Sequence, residues 1–242
     1  MIPLLDILFP RRCAVCGQAV DRPARHLCTD CLGKFPLIDP HGCGRCGRPF
    51  TGGDGVLLCE ECQGRQRPRF DRAASAFAFE GIARQLLLDY KSHAHFHLLE
   101  DFTDLLESVA RARFNVARID LVTPMPATAL HRFLRGYNPT HDLARRLARR
   151  LGRRFDDTIL KRTGTPRRQA GLSEEERRQN VIDTFAVRRP ERVFRQNILV
   201  VDDVLTTGAT LSECARTLKA AGAAHVWAVT LARTPSSGNV ID

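Results

Sequence analysis

Two adjacent carboxylates, Asp202 and Asp203, stand at the end of a continuous apolar run, Ile198–Val201, and are followed at once by Val204, Leu205, Thr206, Thr207, Gly208, Ala209 and Thr210. Such a run reads as a parallel strand covered on both faces. In open parallel sheets, ligands bind beyond the carboxyl ends of the strands. The residues after the acidic pair turn into a helix N-terminus, where Gly208 and its small neighbours let backbone N–H groups approach an anion that the helix dipole favours. Thr206, Thr207 and Thr210 add hydroxyl donors. Two carboxylates beside a phosphate cradle would repel a bare phosphate. A ribose 5-phosphate removes the conflict, because its hydroxyls donate to Asp202 and Asp203 while its phosphate occupies the turn. The P-loop pattern G-x-x-x-x-G-K-[ST] does not occur, which excludes that class of nucleotide site. A metal-binding acidic pair is the competing reading, and the threonine–glycine turn argues against it.

The cysteines supply a second chemistry. Eight of nine fall into four C-x-x-C pairs: Cys13/Cys16, Cys28/Cys31, Cys43/Cys46 and Cys59/Cys62. Thiolates at i and i+3 in a knuckle turn reach one ion, and this regularity reads as two four-thiolate zinc sites and not as disulfides. Four thiolates leave no open position for water, so the zinc is structural. A segment of about 50 residues with few large apolar side chains needs such a staple. Sequential pairing of the motifs is the first choice and a crossed arrangement the alternative. Cys214 stands apart and reads as a buried small apolar residue.

The formal net charge is +10, and the whole excess lies in residues 130–195, which hold 18 Lys/Arg against 8 Asp/Glu. A concentrated basic stretch attracts polyanions, either a nucleic-acid backbone or a phosphate ligand; solvated helix faces are the plainer reading. The N-terminal MIPLLDILFP, broken by Asp6 and closed by Pro10, is too short to span a bilayer and lacks the charge and cleavage pattern of a signal peptide. The expectation is a cytoplasmic protein with that segment packed on the following domain.

The elements that must position these groups follow from periodicity. Strands are expected at Ala73–Phe79, Ile119–Val122, near Thr158–Leu160, at Thr184–Val187, Ile198–Val201 and His225–Leu231. Helices are expected at Ile82–Tyr90, Phe96–Arg113, Thr140–Leu151 and Thr210–Ala221, the last stopped by Gly222. Strands alternating with helices imply a parallel α/β sheet. His93, His95 and His97 alternate, but no thiolate or carboxylate motif completes a metal site around them.

VVDDVLTTGAT resembles the phosphoribosyl pyrophosphate (PRPP) signature of type I phosphoribosyltransferases. Together with LFPRRCAVCG, DYKSH, TPMP, LRGYN, RRQAGLSEEERRQNV and DTFAV, it resembles the ComF branch over nearly the whole chain. The resemblance implies an α/β fold: a double zinc ribbon over 1–66 followed by a parallel-sheet type I phosphoribosyltransferase domain over 67–242. It implies that Asp202 and Asp203 contact the ribose and act in catalysis, that Val201–Thr210 form the PRPP loop, and that Pro124, Met125, Pro126 and Ala127 form the pyrophosphate loop. Lys91, Arg135 and Arg177 are candidates for the pyrophosphate charge, and 161–183 for a mobile cover. PRPP with Mg2+, structural Zn2+, single-stranded DNA and components of a DNA-uptake machinery at the inner membrane are the implied ligands and partners. Two functions follow from it: a PRPP-binding factor of DNA uptake, and a phosphoribosyltransferase with an unidentified acceptor.

Overall fold

The apolar run before the acidic pair forms a strand at the centre of a parallel sheet. The computed structural model describes residues 11–21, 25–39, 42–49, 58–64, 67–92, 96–127, 138–163 and 183–235. Within these, the elements in chain order are α1 (Thr29–Gly33), α2 (Glu60–Gln63), β1 (Arg72–Ala78), α3 (Gly81–Ser92), α4 (Leu99–Arg113), β2 (Leu121–Pro124), α5 (Pro139–Leu151), β3 (Arg154–Phe155), β4 (Leu160–Arg162), β5 (Phe185–Val187), β6 (Asn197–Leu205), α6 (Ala209–Ala220) and β7 (His225–Arg233). The main sheet has five strands in the order β1-β7-β6-β2-β3, all parallel.

Consecutive residues of β6 alternate between the sheet's two faces. Leu199 and Val201 join one core with α3, α4 and α5, while Ile198 and Val200 join the other with α6. All four are fully buried, which explains the unbroken apolar run. Helix α5 follows its own sequence signals. Asn138 Oδ1 accepts from Thr140 N at 3.2 Å, Pro139 begins the helix, and Gly152 ends it in the left-handed conformation.

Four strands depart from expectation, and the first is β2, which spans Leu121–Pro124 instead of Ile119–Val122, so that Pro124 lies in the strand and not in the loop. β6 does not end at Val201 but runs to Leu205, because β7 continues beside it as far as Arg233. The acidic pair therefore lies within the strand and not beyond it. The strand expected near Thr158–Leu160 begins at Leu160 and pairs antiparallel with β5, so these two form a separate hairpin outside the parallel sheet. β3, only two residues long, extends the main sheet beside β2 and was not expected. The helix expected from Phe96 opens as a 3-10 turn over Phe96–Leu98.

The cysteine-rich segment is fused to the sheet. Ile38 N donates to Ala76 O (3.0 Å), Ala78 N to Pro36 O (2.8 Å) and Ala73 N to Arg45 O (2.6 Å), so residues from both zinc-motif halves cover the β1 edge. Leu27, Cys28 and Phe35 pack into the α4 side of the core, whereas Cys43, Cys46 and Cys62 pack into the α6 side. A carboxylate cluster on α4 reinforces the first contact. Asp104 binds both Arg25 (2.5 Å) and Arg150 (2.6 Å), and Glu100 pairs with Arg146 and Arg150. Residues 1–10 lie outside the described residues.

Burial alone would raise the Asp104 carboxyl, but hydrogen bonds from Arg25 and Arg150 outweigh it and hold the carboxyl below its ordinary value. A depressed folded value gives stability that is present above the unfolded value and lost as pH falls through the folded one. Asp104→Asn should therefore cost about 1–3 kcal/mol at pH 7. The difference from the parent chain should shrink below pH ~4, as urea unfolding at a series of pH values will measure.

Candidate functional site

The acidic pair is held by long-range contacts. Asp203 Oδ2 pairs with Lys91 Nζ at 2.8 Å, and both side chains are largely buried. Lys91 stands in the last turn of α3, and its neighbour Tyr90 fixes that turn by donating from its buried hydroxyl to Pro139 O at 3.3 Å. Asp202 Oδ1 accepts from the Asp203 amide at 2.9 Å, and Asp202 lies opposite Thr230 in the β6–β7 register. The Thr230 hydroxyl is itself buried against Ser75 Oγ at 2.7 Å. Burial, followed by the neighbouring Asp203 charge, pushes the Asp202 carboxyl up to about 7.

After Leu205 the chain bends through Thr206–Gly208 into α6. Gly208 has φ +78°, and a Cβ there would sit 3.6 Å from both Phe70 and Leu205. Its left-handed conformation is what allows the backbone to turn sharply into the helix. Thr207 Oγ1 accepts from Ala209 N at 3.4 Å. On the neighbouring strand, Pro124 lies opposite Val201, and Met125 N donates to Val201 O at 2.8 Å. The segment Pro124–Ala127 is thus adjacent to the end of the apolar run in β6. The structure brings together Lys91, the Pro124–Ala127 segment and Val201–Thr210. Arg135, Arg177, His93 and His95 lie outside the described residues. His97 is exposed, its ring 4.9 Å from that of His26.

Arg162 escaped the sequence reading. It stands on β4 with its guanidinium 5.2 Å from the centre of the Phe185 ring, and its Nε is buried without a hydrogen-bond partner. Burial pulls its pKa down, against the opposing pull of Asp202 and Cys214. Nothing in the local spacing announces it, because only the β4–β5 hairpin carries it toward Asp202. Cys214 is fully buried, and burial followed by the charges of Asp202 and Glu213 raises its thiol. It is the small apolar core residue expected.

The eight paired cysteines form two sequential clusters, Cys13/Cys16/Cys28/Cys31 and Cys43/Cys46/Cys59/Cys62, each with four sulfurs within 4.8 Å of one another. None of the eight is in a disulfide. Tetrahedral zinc with bonds of about 2.3 Å requires sulfur–sulfur edges of about 3.8 Å. The observed Cys16–Cys28 and Cys46–Cys59 separations are 3.8 and 3.7 Å. Backbone amides point at the sulfurs: Cys31 N to Cys28 Sγ (3.4 Å), Cys28 N to Cys13 Sγ (3.5 Å) and Cys59 N to Cys43 Sγ (3.4 Å). Two structural zinc ions fit these donor sets. The second cluster is also ringed by cations. Arg233, buried, donates to Cys46 O at 2.8 Å, and Arg113 donates to Cys43 O at 3.2 Å.

Two segments of the chain match known domain families. Residues 4–63 match the double zinc ribbon domain, and residues 136–242 match the phosphoribosyl transferase domain. The chain is 28% identical over 233 residues to competence protein F of Haemophilus influenzae, covering 93% of this chain and 98% of that protein. It is 27% identical to the DNA utilization protein YhgH of Escherichia coli K12, covering 94% and 99%. With the competence protein ComFC of Bacillus subtilis the identity is 26%, covering 88% and 86%.

Native mass spectrometry should find two zinc ions per chain. Cys62→Ser should leave one bound and lower thermal stability steeply, since such sites contribute on the order of 10 kcal/mol. Asp202 generates a pH signature of opposite sign to Asp104. Its folded value is raised, so its stabilising contribution is complete below the unfolded carboxyl value of about 3.9 and disappears as pH rises toward 7. Asp202→Asn should accordingly make the unliganded protein more stable at pH 8, by about 1–3 kcal/mol. The gain should fade on acidification to pH ~4, as thermal melts across that range will record.

Proposed function

The chain belongs to the ComF family, a double zinc ribbon joined to a phosphoribosyltransferase domain, and on that premise we propose that it binds PRPP with Mg2+ and handles single-stranded DNA during DNA uptake. The observation that carries the PRPP reading is the continuity of four features. These are the acidic pair inside β6, the Lys91 ammonium on Asp203, the bend at Thr206–Gly208 and the N-terminus of α6 directly after it.

In this reading the ribbon occupies 1–66 and the transferase domain 67–242. Asp202 and Asp203 accept hydrogen bonds from the ribose hydroxyls. The backbone and hydroxyls of Thr206–Thr210 hold the 5-phosphate, with the α6 dipole behind it. Pro124–Ala127 backs the pyrophosphate, whose charge Lys91 and Arg135 offset. Mg2+ takes oxygen donors; the carboxylates of Asp202 and Asp203 and the hydroxyls of Thr206, Thr207 and Thr210 are of that kind, and a bound Mg2+ would supply positive charge against the departing pyrophosphate.

Asp202 also supports a second reading, transfer of the phosphoribosyl group to an unidentified acceptor. In that transfer the bond from C1 of the ribose to the pyrophosphate oxygen breaks and an acceptor atom bonds to C1. A carboxylate whose pKa lies near 7 is matched to take the proton the acceptor loses. The names of the relatives, competence and DNA utilization, favour the DNA-uptake role, and in this reading the chain works in the cytoplasm, beside uptake components of the inner membrane.

Calorimetry with PRPP and Mg2+ tests the pocket. Asp202→Asn with Asp203→Asn should weaken binding by roughly 100-fold or more, the effect of losing two charged hydrogen-bond acceptors. Unchanged affinity would overturn the assignment. Pyrophosphate release in the same samples, over a panel of acceptors and with or without single-stranded DNA, separates turnover from binding alone.

A further inference from the structure

The charge excess of residues 130–195 is unevenly used. On α5, Arg146 and Arg150 turn toward α4 and pair with Glu100, Asp104 and Glu107. Arg192 pairs with Asp156. Arg145 and Arg149, one position earlier in each turn, are exposed and make no ion pair or side-chain hydrogen bond among the described residues. Arg153, just past the end of the helix, has a buried Nε with no hydrogen-bond partner. These three arginines line one groove of about 430 Å3 with Asp142 and the half-buried ring of Phe155, and Arg146, though paired with Glu100, also borders it. Asp142, the one carboxylate lining the groove among the described residues, is already in contact with His141 Nδ1 at 3.1 Å. The His141 ring also stands edge-on to Phe155, with centroids 5.3 Å apart.

Like charges at i and i+4 repel, so the Arg145–Arg149 stripe weakens its own helix unless an anion lies across it. An unpartnered guanidinium nitrogen under the groove wall adds to that cost. Residues four apart on a helix are separated by about 6 Å along its axis, a spacing that suits consecutive phosphates of an extended strand. An aromatic ring beside a row of cations is the arrangement by which proteins take single strands without reading sequence. The groove shares no residue with the PRPP pocket and lies at the opposite margin of the sheet from β1, beside β3.

The geometry points to this groove as the seat of a single strand of DNA. Arg145, Arg149 and Arg153 bind successive phosphates, and Phe155 stacks a base. The assignment rests on the DNA-handling reading above and adds to it the surface that does the binding.

Fluorescence anisotropy of labelled oligo(dT) with the zinc-loaded full chain, titrated across salt, tests it. Arg145→Glu with Arg149→Glu should weaken binding roughly tenfold or more and flatten the slope of log affinity against log salt by about 1.4, the loss of two phosphate contacts on a single strand. Phe155→Ala should weaken binding with the slope unchanged, since stacking releases no counterions. Zinc content and PRPP affinity should stay at parent values in every variant, which excludes general misfolding. If the parent binds oligo(dT) and the double variant binds with the same affinity and slope, the groove is wrong and the DNA-handling reading stands. If the parent does not bind oligo(dT), the DNA-handling reading fails and the groove with it. Duplex DNA binding as tightly as oligo(dT), with the same dependence on Arg145 and Arg149, would overturn the single-strand assignment.

Discussion

Pairing of β6 with β7 along the full length of both strands, from Asn197 opposite His225 to Leu205 opposite Arg233, is the constraint on which the rest of the molecule depends. A strand buried on both faces must satisfy its backbone within the sheet, and this pairing carries β6 past its apolar run and through two carboxylates. Asp202 is thereby held half-buried beside Thr230, and that burial, followed by the Asp203 charge, disfavours its own charge. The register also ends the two strands together. Thr206–Gly208 can then turn into α6 only because Leu205 is the last paired residue and Gly208 adopts a positive φ.

The same register reaches the second cysteine cluster. Arg233, the last residue of β7, is buried and donates to Cys46 O. A buried guanidinium needs compensating charge, and four thiolates around a divalent ion carry a net −2. The zinc cluster and the sheet's central strands thus meet electrostatically as well as by packing. Phe70 completes the link: it leads out of the ribbon, is fully buried, and lies against Gly208 at the start of α6. The two ribbon halves pack into opposite faces of one sheet, which makes them part of its core and not an appendage.

Helix α5 divides its arginines by angular position. Successive residues on a helix differ by about 100°, enough for Arg146 and Arg150 to enter the carboxylate cluster on α4 while Arg145 and Arg149 face out over Phe155. One helix therefore ties the first ribbon's support to the sheet and leaves a second charged surface free.

Much was legible in the sequence because its signals are local. The C-x-x-C spacing defines a knuckle within one turn, the Ile198–Val201 run declares a strand with no exposed face, Asn138–Pro139 and Gly152 bracket α5, and the succession of acidic pair, threonines and Gly208 marks a strand-to-helix turn. Cluster pairing, the extent of β6, and the contacts of Lys91 and Arg162 around the acidic pair were decided by tertiary structure. Each depends on segments far apart in sequence meeting across the sheet: α3 against the end of β6, the β4–β5 hairpin against α6, β7 against the second ribbon. Spacing along the chain encodes what one turn can hold. Which charges end up paired, buried or left facing solvent depends on the register of strands that the sequence does not place side by side.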